Sequence, residues 1–132
     1  MTVPLLPSAP KAAVVWAKAQ PDLAAIHGGR VGTRLHAARP AVRVVQIGGQ
    51  VVHPREGRPL LQFECWASDE DTADTLARTL VGALPTFRGV FSDGRVHTFA
   101  VESGPYWAPD DPELSQDARY IVTARLVTTS VS

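Results

Sequence analysis

The stretch Leu60–Leu84, LLQFECWASDEDTADTLARTLVGAL, decides the fold because it joins a buried strand directly to an amphipathic helix. In its first part, successive side chains alternate between two faces, with the two-residue period of a strand that has one face on the core. The predicted core face carries Leu61, Phe63, Cys65 and Ala67, and the other face carries Gln62, Glu64 and Trp66. A strand that runs straight into a helix predicts a sheet with that helix packed on one face.

The helix is predicted to begin at Ser68, with Asp71 three residues later as a variant of the capping box. Asp69 and Glu70, together with Asp71, place negative charge at the positive end of the helix dipole. Helical spacing collects the apolar residues of the segment into one stripe, formed by Ala73, Leu76, Ala77, Leu80 and Leu84. Pro85 is predicted to end the helix.

An earlier helix is predicted after an extended arm over residues 1–8, where prolines forbid regular helix. Ser8 is the candidate N-cap, and Pro10 is tolerated in the first turn. The expected buried face consists of Ala12, Val15, Trp16 and Ala19. Pro21 interrupts this helix, and one further turn follows before Gly28 and Gly29 stop it.

The remaining segments are extended or irregular. We predict strands at 31–35, 41–47, 96–103 and 118–129, a strand start within 86–91, a turn at 92–95, a loop or hairpin tip at 48–59 and a polar loop at 104–117. The whole is an α+β fold, with a mixed or antiparallel sheet of about four to five strands and two helices, the second packed on one face. Residues 1–132 form a single domain with a short tail at 130–132.

Composition narrows the classes of function. Thirteen basic and thirteen acidic residues give a formal net charge of zero, which argues against broad electrostatic binding to nucleic acid or anionic membrane. No apolar run reaches the roughly 18 residues of a membrane-spanning helix, and the N-terminal segment is a poor signal peptide. Cys65 is the single cysteine, so the chain forms no internal disulfide, and its apolar surroundings predict a small buried side chain.

Catalytic and metal-binding patterns are weak in this sequence. The four histidines are scattered, without the spacing of a metal site, and the acidic residues 69–74 are explained by the start of a helix. The Gly28–Gly32 segment is too short and wrongly placed for a dinucleotide fingerprint, and no nucleophile elbow or phosphate-binding loop occurs. We therefore expect a protein that is not an enzyme and has no metal or cofactor site.

Two features suggest contact with other chains. Tyr106 and Trp107 lie among prolines in a predicted polar loop, where they either form an interface or fold back as a lid on the sheet. The final strand carries Arg119, Ile121 and Arg125 on the face opposite its core residues. Either this strand is buried on both sides or the second face meets a neighbouring subunit, and the two arginines favour the subunit contact.

The run LAAIHGGRVGTRL at 23–35, followed by Pro40, the strand AVRVVQI and Gly48, resembles the first half of the tail-terminator proteins of long-tailed bacteriophages. The next unit of that family, a strand running into a helix, is matched by FECWASDEDTADTLARTLVGAL, and its final strand opens with an Arg-Tyr pair like Arg119-Tyr120. The resemblance covers nearly the whole chain and consists of element order and local patterns, without a catalytic signature.

This resemblance implies a homo-oligomeric ring, commonly a hexamer, that caps the completed tail tube, ends tube polymerisation and joins the tail to the head connector. The implied partners are the tail tube protein and the connector or stopper protein. The implied location is the virion neck, after assembly in the cytoplasm of the host bacterium, with DNA passing through the ring lumen without sequence-specific binding. Arg55 and Arg58 in the 48–59 segment become candidate contact residues. A connector or other neck protein, and a small cellular α+β binding module, are the alternatives.

Overall fold

The computed structural model describes residues 3–91, 94–110 and 116–130. Its helices are α1 (Ala9–Ala19), α2 (Pro21–His27) and α3 (Glu70–Ala83), with a short 3₁₀ helix at Leu84–Thr86. Its strands are β1 (Val31–Gly32), β2 (Ala41–His53), β3 (Glu56–Ala67), β4 (Gly89–Phe91), β5 (Gly94–Trp107) and β6 (Ala118–Ser130). The predicted α+β class is therefore confirmed.

The strands form one sheet in the order β1-β2-β3-β6-β5-β4, with β1 parallel to β2 and every other pair antiparallel. The described residues thus give six strands and three α-helices, more than the four to five strands and two helices predicted from sequence. The strand predicted at 31–35 is only the two-residue β1, and the strand start predicted within 86–91 is the three-residue β4. The extra helix arises because Pro21 starts a new helix instead of only interrupting α1.

The unit formed by β3 and α3 is the centre of the core. Leu61, Phe63 and Cys65 are fully buried on the predicted face of β3, beneath Leu76 and Leu80 of α3. The whole predicted stripe of α3, which also includes Ala73, Ala77 and Leu84, is buried as well. As expected from Pro85, the α-helix ends at Ala83 and a 3₁₀ turn follows.

The predicted cap of α3 is wrong by one residue. Asp69, not Ser68, is the N-cap, and its carboxylate accepts hydrogen bonds of 2.8 Å from both the backbone N–H and the hydroxyl of Thr72. The reason is the reach of β3, whose pairing with β6 continues to Ala67, so that the chain needs Ser68 to leave the sheet before the helix can begin.

The predicted buried face of α1 also needs correction. Ala12 and Trp16 are buried, but Val15 is 51% exposed and the stripe passes instead through Ala9, Ala13 and Ala17. Trp16 sets this rotation because its ring stacks on Phe87 at 4.9 Å between centroids and meets the edge of Phe63 at 6.3 Å. Ser8 occupies the N-cap position, although its side chain makes no capping hydrogen bond.

Of the two predictions for 48–59, a loop or a hairpin tip, the hairpin is confirmed. β2 passes through Gly48 and Gly49 to His53, with a register shift between Gln46 and Gly48, so this segment is the distal part of a long β2–β3 hairpin. Gly49 has a φ of +123°, and a Cβ there would lie 2.5 Å from the carbonyl oxygen of Arg58. A bulge that brings two backbones this close requires glycine.

β5 also contains a glycine with a positive φ angle. The strand runs on to Trp107, so the predicted loop at 104–117 is shorter than expected, and Gly104 lies in a register shift with a φ of +95°. Of that loop, residues 111–115 are outside the described residues, as are residues 92 and 93 of the predicted turn. Ser130, predicted to start the tail, is the last residue of β6, and residues 131 and 132 lie beyond the described part.

Candidate subunit interface

The sheet has two long open edges on opposite sides. β1 covers β2 only at Val42 and Arg43, and β4 covers β5 only from Gly94 to Val96. Beyond these points no described strand pairs with the outer side of either β2 or β5. A row of backbone N–H and C=O groups without strand partners is a template for pairing with another chain.

The β2 edge, which we define as Val44–Val52, is unusually apolar. Its sequence VVQIGGQVV contains no charged residue and no proline over nine positions. Ile47, Val51 and Val52 are 47%, 68% and 52% exposed in the isolated chain. Natural sheets protect long edges with charges, prolines, bulges or short strands. This segment has no charge and no proline, and of these features it contains only register shifts, such as that between Gln46 and Gly48.

The β5 edge, which we define as Thr98–Ser103, continues into the aromatic pair at the end of the strand. Tyr106 and Trp107 are paired with Ile121 and Tyr120 of β6, so they belong to the sheet and not to a loop that closes over it. The Trp107 ring meets the Tyr120 ring edge-on at 5.4 Å. Both predicted interface aromatics nevertheless remain more than 40% exposed, which keeps them available for a partner.

Arg119 is half-buried on the sheet face that has no helices. Its guanidinium lies over one side of the Trp66 ring at 5.0 Å, and Arg39 lies over the same ring at 5.4 Å. The Arg119 Nε also donates a 2.6 Å hydrogen bond to the carbonyl oxygen of Ala108. Arg119 is thus held by intramolecular contacts, which explains why the final strand is largely buried on both sides at this end.

A buried carboxylate completes this arginine–tryptophan cluster. Glu64 accepts hydrogen bonds from Gln62 at 2.9 Å, from the Trp66 indole N–H at 3.2 Å and from Arg43 at 3.4 Å. Arg119 approaches the same carboxylate at 4.0 Å. Each acceptor oxygen of this nearly inaccessible group is therefore satisfied, as the low dielectric of a buried site demands. Arg39 is in turn paired with Asp117 at 2.7 Å.

The other candidate arginines lie farther along the same strands. Arg125 is paired with Glu102 at 3.0 Å and lines a shallow depression together with Arg58, Gly49 and Gln50. Arg55 lies at the turn of the hairpin, where its carbonyl oxygen accepts a hydrogen bond from the Ser130 N–H. The structure thus brings Arg58 and Arg125 together, whereas Arg119 and the aromatic pair lie toward the opposite end of the strands.

Two titratable groups have pKa values shifted by burial. Burial lowers the pKa of His27, and the nearby Arg30 and Lys18 charges act in the same direction. Its Nδ1 accepts from the Gly29 N–H at 2.9 Å and its Nε2 donates to the Ala17 carbonyl at 3.0 Å, which fixes the neutral tautomer. Burial raises the pKa of the Cys65 thiol far above its ordinary range. Within the described ranges no three His, Cys, Asp or Glu residues lie close enough to hold a metal ion.

Prediction from the sequence did not identify the arginine–tryptophan cluster or the β2 edge. A tryptophan on the face opposite the core and a charge-free run through two glycines were the available signals for them. No helix in the described part of the chain is long and apolar enough to cross a membrane. The sequence matches no protein-family model and no curated protein sequence.

Proposed function

We propose that this protein is a tail terminator of a long-tailed bacteriophage or tail-like particle, which closes into a ring on the finished tail tube and provides the surface for the head connector. The single observation that carries the proposal is the pair of open edges on opposite sides of one sheet. Two different surfaces that meet between neighbouring copies form a heterologous contact, and repetition of that contact by rotation closes a ring.

The composition of the edges supports self-association. Neither edge contains lysine, since Lys11 and Lys18 both lie in α1, and the only charge on the β5 edge, Glu102, is neutralised by Arg125. Apolar and neutral surface at the contact, with charge confined to the rim, is the usual composition of an interface core. The resemblance of the element order to that of tail terminators supports the proposed role of this ring in a virion.

The hairpin turn supplies a candidate contact along the ring axis. Arg55 and Arg58 are exposed at the end of the strands where β2 turns into β3. In a ring whose axis runs roughly along the strands, this turn projects from one rim, whereas the start of α3 lies at the opposite rim. The tail tube and the connector would each meet one of these rims.

Electron microscopy of particles made without this protein tests the proposal. A terminator predicts tails of excessive and variable length that are detached from heads, because nothing stops tube polymerisation. Tails of normal length that fail to join heads would assign the protein to the connector or stopper instead. Unchanged particles would remove the virion role and leave a cellular α+β binding module.

The hairpin contact has its own test in the double variant Arg55→Glu/Arg58→Glu. We expect unchanged folding, because both side chains are exposed, and failure of particle assembly, because the charge of the rim is reversed. Lys18→Glu/Arg78→Glu is the matched control, since it reverses two exposed basic residues that lie on α1 and α3, away from the hairpin. Normal assembly by the hairpin variant would remove Arg55 and Arg58 from the contact surface.

A further inference from the structure

We infer that neighbouring copies join by main-chain strand pairing, in which the β2 edge of one copy adds antiparallel to the β5 edge of the next. The partner is therefore a second copy of this chain, and the product is a sheet continuous across subunits. This inference rests on the proposed ring, and it specifies a mode of contact that the ring alone does not require.

The hydrogen-bonding direction of β2 is fixed by its contact with the segment before β1. The Val42 N–H donates to the carbonyl oxygen of Arg30 at 2.9 Å, on the side away from β3. Since hydrogen-bonding direction alternates along a strand, Val44 and Gln46 also direct their backbone groups outward. The register shift after Gln46 adds one residue, so that the outward positions beyond it become Gly49 and Val51.

The hydrogen-bonding direction of β5 follows from its pairing with β6. The Ala108 N–H donates to the carbonyl oxygen of Arg119, so odd-numbered residues of β6 direct their backbone groups toward β5 and even-numbered ones toward β3. Phe99 and Val101 are paired with Leu126 and Ala124, which are even-numbered. Phe99 and Val101 therefore direct their own N–H and C=O groups away from β6, toward the open side.

Strand direction makes the two edges compatible. β2 and β5 run in opposite directions within the sheet, because each successive pair from β2 to β5 is antiparallel and three such pairs separate them. A rotation about an axis along the strands preserves these directions and brings β2 of one copy beside β5 of the next. The pairing is then antiparallel, the more stable arrangement, and every copy uses both edges.

The regular parts of the two edges have similar lengths. In β2 the register shifts lie between Gln46 and Gly48 and between Val51 and His53, which leaves a regular run at 48–51. In β5 they lie between Val96 and Thr98 and between Val101 and Ser103, which leaves a regular run at 98–101. Since a bulge locally disrupts pairing, we expect the contact to be centred on these two runs of four residues, each roughly 13 Å long.

Cysteine cross-linking of the full chain tests the pairing. Cys65 is buried, so a new pair on the surface reacts alone. Val51→Cys is combined in turn with a cysteine at each position from Thr98 to Ser103, and the protein is oxidised at high concentration. We expect a ladder of covalent oligomers at one position and its nearest same-face neighbour, because a disulfide requires Cα atoms about 4.4–6.8 Å apart. The control joins Val51→Cys with Val15→Cys on α1, which should give no ladder.

A charge on the edge provides the second measurement. Val51→Lys should abolish the assembled species in native mass spectrometry and keep the circular dichroism of the monomer. Val15→Lys, the same change at an exposed position of α1, should assemble normally. The inference is overturned if no position gives a ladder beyond the control, or if Val51→Lys assembles like the wild type. Assembly that persists without edge cross-links would reject strand pairing and leave the proposed ring standing. Tails of normal length in particles lacking the protein would instead reject the terminator role.

Discussion

The inner strands β3 and β6 differ from the flanking strands β2 and β5, here called the outer strands, in how far their residues are buried. β3 and β6 are paired on both sides and are mostly buried, whereas β2 is buried only from Ala41 to Val44 and is exposed beyond Val45, and β5 is exposed along most of its length. α3 packs mainly on β6 and β3, and α1 packs on β1 and on β2, whose residues beyond Val45 remain exposed. The comparison indicates that stability is concentrated in the inner strands and assembly in the outer ones.

The largest effect should come from the helix over the inner strands. Leu80→Ala removes a fully buried side chain that packs against the core face of β3 and β6, so the free energy of unfolding should fall by about 2–5 kcal/mol. Chemical denaturation of purified protein measures this loss. Unchanged stability would contradict the placement of α3 on the core.

The helix-free face of the same strands should respond less strongly. Glu64→Ala leaves the Trp66 indole N–H, Gln62 and the Arg43 and Arg119 guanidiniums without their shared acceptor. We expect a loss of roughly 1–3 kcal/mol, since the arginines keep partial access to water. Glu64→Gln is the matched control, because it retains an acceptor oxygen but removes the charge. A smaller loss of stability in Glu64→Gln than in Glu64→Ala would separate the contribution of hydrogen bonding from that of charge. A neutral result for Glu64→Ala would mean that the cluster does not stabilise this face.

A pH dependence should arise in the helix layer and not at the edges. Burial holds the pKa of His27 below its ordinary value, so on acidification the unfolded chain takes up this proton before the folded chain does. The stabilisation that neutral His27 contributes is fully present at a pH above the ordinary imidazole pKa of about 6.5. It is lost as the pH falls toward the pKa of His27 in the folded protein. Denaturation of wild type and His27→Gln at pH 8 and pH 5.5 measures the difference, and an equal pH dependence in both proteins would exclude His27 as its source.

The smallest effect on folding should come from the outer strand. Val51→Lys changes an exposed position, so the stability of the monomer should stay within about 0.5 kcal/mol of the wild-type value. A loss of several kcal/mol on denaturation of the dilute monomer would show that the β2 edge is part of the folding core. The division between inner and outer strands would then be wrong.

The sequence predicts those parts of the fold that local signals determine. The alternation of Leu61 and Phe63, the stripe through Leu80 and the proline at 85 were sufficient for β3 and α3, because each depends on residues close along the chain. The segments that begin at Gly48 and Gly104 were predicted as a loop or hairpin tip and as a polar loop, but both begin as strand, since a bulge differs from a turn only through the backbone of its partner strand. The rotation of α1 likewise depends on Phe87, which lies far along the chain from Trp16.

The candidate site was less predictable for the same reason. Tyr106 and Trp107 were identified as exposed aromatics, but their place in a strand depends on pairing with β6. Arg119 was expected on a contact surface and instead covers Trp66, because Arg39 and Glu64 come from other segments and meet it only in the folded chain. The charge-free run at 44–52 was a local signal for the exposed part of β2, but which strands lie at the edges depends on the order of strands in the folded sheet.

Hydrogen–deuterium exchange, resolved by residue and compared between dilute monomer and assembled protein, tests directly whether copies assemble through the open edges. We expect the amides of Phe63 and Val122 on the inner strands to be protected in both states. The outward amides of Gly49, Val51 and Val101 should exchange rapidly in the monomer and become protected on assembly. Outward amides that stay rapidly exchanging in the assembled protein would contradict assembly through the open edges.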